Sequence, residues 1–147
     1  MIFLEIVACM LLFVFRAGFM KRKEFWKMKI AITSQGREMT DAVDQRFGRA
    51  KFFIVADTRS GETSAVDNMQ NLNAAQGAGI QAGANVVSLG VEAVITGHVG
   101  PKAFATLNAG GVKIYTGAGG GVADALEKFK AGELTQIQSA DVESHWV

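Results

Sequence analysis

The 147-residue chain is poor in the residues that carry covalent and metal chemistry. It has one cysteine, Cys9, so it forms no internal disulfide and no all-thiolate metal site. Histidine occurs only twice, as His98 and His145. No serine lies in a G-x-S-x-G elbow, which removes one hydrolase class. No charge of one sign dominates. The net charge is +1, and residues 28–147 carry ten Lys/Arg against twelve Asp/Glu. That balance predicts no phosphate-backbone footprint and no nucleic-acid partner. The longest apolar run, Ile6–Phe15, is cut short by Glu5 and falls below the ~20 residues of a membrane span. One proline, Pro101, stands against seventeen glycines, twelve of them between Gly77 and Gly121.

What is present fits one globular domain, with 49% hydrophobic and 20% charged residues. Residues 1–27 differ from the rest. Five Lys/Arg (Arg16, Lys21, Arg22, Lys23, Lys27) against Glu5 and Glu24 give this extension +3. A secretory signal would carry its positive charge ahead of the apolar run, and none is there. Three readings stay open: translation from an upstream start codon with Met28 as the true beginning, a membrane-associated tail, and an extra helix packed on the body. The functional domain is therefore 28–147. A single thiol fits a reducing compartment, and the expected location is the cytoplasm. A membrane enters only if residues 1–27 are expressed.

From Met28 the pattern turns regular. Met28–Thr33 alternates and is rich in β-branched residues, which predicts a strand. Ser34–Val43 is a long polar loop. Phe52–Asp57 and Thr63–Asn68 form a hairpin about a turn at Thr58–Glu62. Residues 71–76 are a loop, and Ala75–Leu89 has small and apolar residues at helical spacing. Val91–Thr96 is a buried strand, Lys102–Asn108 a short helix and Val112–Thr116 another strand. Val122, Ala125, Leu126 and Phe129 mark a helix face, with Gly132 as its stop. The order β-β-β-α-β-α-β-α predicts an α/β fold: a mixed five-stranded sheet with helices on its faces. The first strand is expected to be central and parallel to the last two, with the hairpin extending one side antiparallel.

The candidate site gathers at the carboxyl ends of these strands, where open α/β sheets bind ligands. Thr96-Gly97-His98-Val99-Gly100-Pro101 follows a strand and opens a helix, with Gly97 and Gly100 letting the backbone turn. His98 is thereby presented as a candidate metal ligand, the bland alternative being a structural histidine. In Asp44-Gln45-Arg46-Phe47-Gly48-Arg49-Ala50, two arginines flank an aromatic and a glycine. They read either as an anion clamp or as Phe47 plugging the core while Asp44 pairs with an arginine. Gly117-Ala118-Gly119-Gly120-Gly121 reads as an anion nest of backbone amides or as a plain tight turn. Gly77-Ala78-Gly79-Ile80-Gln81-Ala82 matches G-x-G-x-x-A, but no strand runs directly into it, so dinucleotide binding is disfavoured. Gly79 and Gly83 inside a helix call for a packing reason, and close helix–sheet contact supplies one. Asp124 is a weak candidate base, and His145 a weak ligand.

Together these residues resemble the dinitrogenase iron–molybdenum cofactor biosynthesis family, that of the nitrogenase cofactor carriers NifX and NafY and the C-terminal domain of NifB. The resemblance runs from Met28 to about Leu134. It rests on Met28-Lys29-Ile30-Ala31-Ile32, Arg46-Phe47-Gly48-Arg49-Ala50, Gly77-x-Gly79-x-Gln81, Gly97-His98-x-Gly100-Pro101-x-Ala103-Phe104 and Ile114-Tyr115-x-Gly117. Val142-Glu143-x-His145-Trp146 is similar to the tails of stand-alone members. Two departures, Arg46 where nitrogenase-linked members often have histidine and Val99 where some have cysteine, make the stand-alone group the closer match. The resemblance implies a ribonuclease-H-like topology without nuclease activity. It also implies non-enzymatic carriage or chaperoning of an iron–sulfur or iron–molybdenum-type cluster, with a cluster donor or acceptor protein as partner. The expected contacts are Arg46, Phe47, Gly48, Arg49, Gly97, His98, Gly117, Gly119, Gly120 and Gly121, with His98 on metal. Two other functions stay open: an enzyme acting on a phosphorylated metabolite or nucleotide at the same strand ends, and a ligand-free regulatory or scaffold module.

Overall fold

The computed structural model describes residues 28–68 and 77–140. The N-terminal extension with Cys9, the 71–76 loop, Ala75 and the tail with His145 lie outside the described residues. Six strands form one sheet in the order β3-β2-β1-β4-β5-β6. They are β1 (Lys29–Ser34), β2 (Phe52–Asp57), β3 (Thr63–Asp67), β4 (Ala93–Ile95), β5 (Lys113–Thr116) and β6 (Thr135–Gln136). Three helices are described: α1 (Ala78–Ser88), α2 (Pro101–Ala109) and α3 (Val122–Lys130).

β1 is interior and runs parallel to β4, with Ile32 opposite Ile95, and β4 runs parallel to β5, with Ile95 opposite Tyr115. The hairpin β2–β3 extends the other side antiparallel, with Ser34 opposite Phe52 and Phe52 opposite Asp67. The expectation of five strands is corrected to six. β6 pairs antiparallel with β5 through Tyr115–Gln136 and Thr116–Thr135. Its two side chains are exposed, so no hydrophobic alternation announced it, while Leu134 and Ile137 on either side pack against the core.

Alternation along the strands divides the core in two. Ala31, Phe53, Val55, Val94 and Ile114 face α1 and α2, meeting Ala82, Val86, Ala103 and Leu107. Ile30, Ile32, Ile54, Ile95 and Tyr115 face α3, meeting Val122, Ala125, Leu126 and Phe129. The Tyr115 and Phe129 rings meet edge to face, 4.9 Å apart. α2 begins at Pro101 behind the cap residue Gly100, the position where a missing N–H is harmless. α3 carries Asp124 in its first turn and Lys128 and Lys130 in its last, matching its dipole. It stops at Gly132, whose φ of 74° lets Gly132 N donate to Phe129 O at 3.0 Å and Glu133 N to Lys128 O at 2.9 Å.

Gly79 and Gly83 serve a helix–helix contact, not the helix–sheet contact expected for them. A Cβ on Gly83 would lie 3.0 Å from Thr106 Cβ, and one on Gly79 would lie 3.3 Å from Ala103 Cβ. Both neighbours belong to α2, so the missing side chains let α1 and α2 close on each other. No helix among the described residues is long and apolar enough to cross a membrane.

Candidate functional site

The polar loop after β1 does not hang free. Residues 35–48 form a strap across the carboxyl ends of β1, β4 and β5. The strap begins on the α3 side. Met39 O and Asp41 O accept the amides of Ala123 and Val122, each at 2.9 Å. Val43 N donates to Gly120 O at 2.9 Å. The chain then crosses the sheet edge at Asp44, whose N donates to Thr33 O at 3.0 Å. Beneath it the hydroxyls of Thr33 and Thr96, both fully buried, are hydrogen-bonded to each other at 3.1 Å. Thr33 Oγ1 also donates to Asp44 O at 2.7 Å. Past Gln45 the strap drops to the other face. Val43 belongs to the core under α3, and Phe47 to the core under α1 and α2. The strap therefore fills the crevice between the ends of β1 and β4 that the sequence suggested as an open cleft.

Arg46 and His98 are brought together. His98 N donates to Gln45 O at 2.8 Å and Phe47 N donates to His98 O at 3.2 Å, a parallel bridge pairing Arg46 with His98. Residues paired this way sit about 4.8 Å apart and share a face. Both side chains are exposed, while the flanking Phe47 and Val99 are fully buried. A guanidinium and an imidazole thus stand side by side on the rim.

The other candidates divide. Phe47 is the core plug: its side chain is fully buried and its ring lies 5.5 Å from that of Phe53. Asp44 does not pair with an arginine side chain as that reading supposed. Its Oδ1 accepts the backbone N–H of Arg46 at 3.1 Å. Arg49 is half-buried. A Cβ on Gly48 would stand 3.0 Å from Gly79 Cα, so Gly48 is where the strap meets α1. Gly97 is needed for a close approach and not for the turn expected of it: a Cβ there would lie 2.8 Å from Gln45 Cα.

In the glycine turn, read from sequence as an amide nest or a plain tight turn, two amides are taken by carbonyls of the β4 end. Gly117 N donates to Gly97 O at 3.2 Å and Ala118 N to Thr96 O at 3.4 Å. The first amides of α3 are taken by the strap, as described. Asp124 Oδ2 stands close to the turn, 3.5 Å from where a Cβ on Gly121 would be. This leaves Gly119, Gly120 and Gly121, with a carboxylate beside them, as the turn's share of the rim. Asp124 itself is exposed.

Sequence reasoning passed over Gln45. Its Nε2 donates to Ala118 O at 3.1 Å, while its backbone carbonyl holds His98 N. The only sequence signal was its place between Asp44 and Arg46. Among the described residues, no group of three or more His, Cys, Asp or Glu could hold a metal ion. Burial raises the pKa of Tyr115 above that of an ordinary phenol.

With this geometry in view, comparison with known proteins is direct. Residues 27–132 match the model of the dinitrogenase iron-molybdenum cofactor family. The chain belongs to that family. It is similar to the orange protein of Desulfovibrio gigas, solved in its apo form, at 35% identity and a TM-score of 0.76, covering 78% of this chain and 96% of that one. It is also similar to a Thermotoga protein proposed to be NifB, at 38% identity and a TM-score of 0.70, covering 78% and 97%. An uncharacterized protein of Methanocaldococcus jannaschii is 24% identical over 113 residues, which is 76% of this chain and 92% of the relative. The match to the iron-molybdenum cofactor family thus covers β1 to β5, the strap and the rim.

Proposed function

We propose that this chain is a non-enzymatic carrier that binds an anionic metal–sulfur cluster of the iron–sulfur or iron–molybdenum type as cargo on the strap rim. The Arg46–His98 bridge carries this reading, because it supplies two exposed nitrogen-bearing side chains at one point. Guanidinium N–H groups suit the sulfide or oxo edges of an anionic cluster. The imidazole of His98 offers one replaceable metal ligand. Soft thiolates, which clusters prefer, are absent from the described residues, so the hold is mainly by charge-assisted hydrogen bonds. We assign Arg49 and the amides of Gly119, Gly120 and Gly121 as further contacts to the cargo, and the backbone of Gly48 and Gly97 seats the strap that carries the pair. We read the order β3-β2-β1-β4-β5 as ribonuclease-H-like. β1 contains no acid, which fits binding without nuclease chemistry. The family's description and the apo state of the orange protein's structure support a cargo-binding role. A donor or acceptor protein completes the cycle.

The test is anaerobic reconstitution with ferrous iron, sulfide and molybdate, followed by metal and sulfide analysis. The same titration is made on His98→Ala and Arg46→Ala, with parallel melts. Both variants should bind more weakly while keeping stability within ~1 kcal/mol, since exposed side chains bury little. The gap between wild type and Arg46→Ala should narrow as salt rises. Equal affinity in all three proteins removes the site. Competition by inorganic phosphate at equal concentration would favour a phosphorylated ligand instead.

A further inference from the structure

We infer that Gln45 is a positioning residue for this rim, fixing the Arg46–His98 pair relative to the glycine turn and so setting the size of anion the site accepts. The inference rests on the cluster-carrier reading for its ligand, though not for its geometry. Three contacts meet in this one residue. Its backbone carbonyl takes the N–H of His98 at 2.8 Å, which fixes one half of the bridge. Its side-chain amide donates to Ala118 O at 3.1 Å, inside the glycine turn. Its Cα sits so close to Gly97 that a methyl group there would stand only 2.8 Å away. β4's end, the strap and β5's end are therefore joined at Gln45.

The side-chain bond is the part that sequence can vary. The backbone contacts survive any substitution that keeps the strap in place, but the link to Ala118 requires a donor of glutamine's length. Gln45 is exposed, so its amide bond lies at the rim surface and not within the core. Losing it removes the side-chain tie at Ala118 and loosens the turn against the Arg46–His98 pair, while the backbone bonds of Gly117, Ala118 and Gly120 and the buried anchors Val43 and Phe47 keep the fold. Replacing the amide with a carboxylate removes the donor, turns a like partial charge toward Ala118 O and adds negative charge beside the anion site.

The experiment has two arms, on Gln45→Ala and Gln45→Glu in the full chain. The first needs no ligand. Amide and imidazole resonances of Ala118–Gly120 and His98 are compared with wild type, with a thermal melt alongside. Gln45→Ala should shift these resonances and speed amide exchange in the turn, with resonances of α1 and α2 unmoved. Unchanged turn and His98 resonances overturn the proposal, whether or not the protein binds a cluster. A general loss of dispersion with a collapsed melting temperature also overturns it, by showing a merely structural residue. The second arm titrates a cluster reconstituted from ferrous iron, sulfide and molybdate, and separately molybdate alone. Gln45→Ala should weaken cluster binding about five- to tenfold, the worth of one hydrogen bond, and weaken the smaller molybdate less. Gln45→Glu should weaken both further. The Gln45→Ala effect should shrink in an Arg46→Ala background, since both act on one contact. Equal loss for cluster and molybdate, or full additivity with Arg46→Ala, refutes the positioning role. If wild type binds neither probe, the carrier reading falls and the first arm still decides the coupling.

Discussion

Gly97→Ala gives the sharpest test of the strap. The added Cβ would meet Gln45 Cα and Cδ, each at 2.8 Å, and Gln45 Oε1 closer still. The amide end can swing away, but the Cα belongs to the backbone and moves only if the strap moves. Overpacking of this kind costs typically ~1–3 kcal/mol. Lifting the strap also weakens the bonds His98 N→Gln45 O and Phe47 N→His98 O, each worth ~1 kcal/mol net. The expected loss is ~2–4 kcal/mol, or roughly 10 °C in melting temperature for a domain of this size. Gly119→Ala is the control: no heavy atom lies within 4 Å of a Cβ there, and its φ is not positive. That change should stay within ~0.5 kcal/mol. Urea unfolding and thermal melts of both variants measure the difference. Equal stabilities would refute the close approach and return Gly97 to the role of an ordinary turn residue.

Two further outcomes follow from buried groups. Thr33→Val leaves Asp44 O without its side-chain donor and Thr96 without its hydroxyl partner, so urea unfolding should report a loss of ~1–3 kcal/mol. Tyr115 has a raised folded-state pKa, so its contribution is fully present below the unfolded phenol pKa, about 10, and declines as pH rises through the folded value. Stability measured across that alkaline range should therefore fall with pH, and Tyr115→Phe should flatten the fall; an unchanged slope would assign it to other groups.

Local pattern carried the fold a long way. The helix face of Val122, Ala125, Leu126 and Phe129 was legible because one side of α3 is buried, and Met28–Thr33 because its β-branched residues suit a strand. Pro101 opened its helix as its chemistry requires. The hairpin was legible from a short turn between two strand-like runs. β6 was not legible: Thr135 and Gln136 are exposed, and only backbone bonds to Tyr115 and Thr116 make them a strand. The strap was hidden for the same reason. Met39, Asp41, Val43 and Asp44 are held mostly by main-chain groups, which every sequence possesses. Its consequences for Gly97 and Gly120 depend on Gln45 and Val43, some fifty to eighty positions away in the chain. At the site, His98 and Arg46 were visible by residue type, but their pairing was not, since nothing local joins two residues separated by β2, β3, α1 and β4.

The strap also redistributes charge across the rim. Had the glycine turn kept its amides, an anion would have two centres to choose from. Instead Gly117 N and Ala118 N face Gly97 O and Thr96 O, the first amides of α3 face strap carbonyls, and Asp124 stands beside what remains. The turn half is thus occupied by its own backbone and flanked by negative charge, while the Arg46–His98 half is exposed. On the proposed carrier function, an anionic cargo is drawn to that half, with the turn acting chiefly as a steric and hydrogen-bonding border. On the carrier reading this asymmetry has a use. Exposed charge-assisted contacts are weakened by salt and by a competing partner surface, whereas thiolate bonds to metal are not. A cluster held this way leaves when an acceptor offers stronger ligands, and the strap beneath it need not unfold for that to happen.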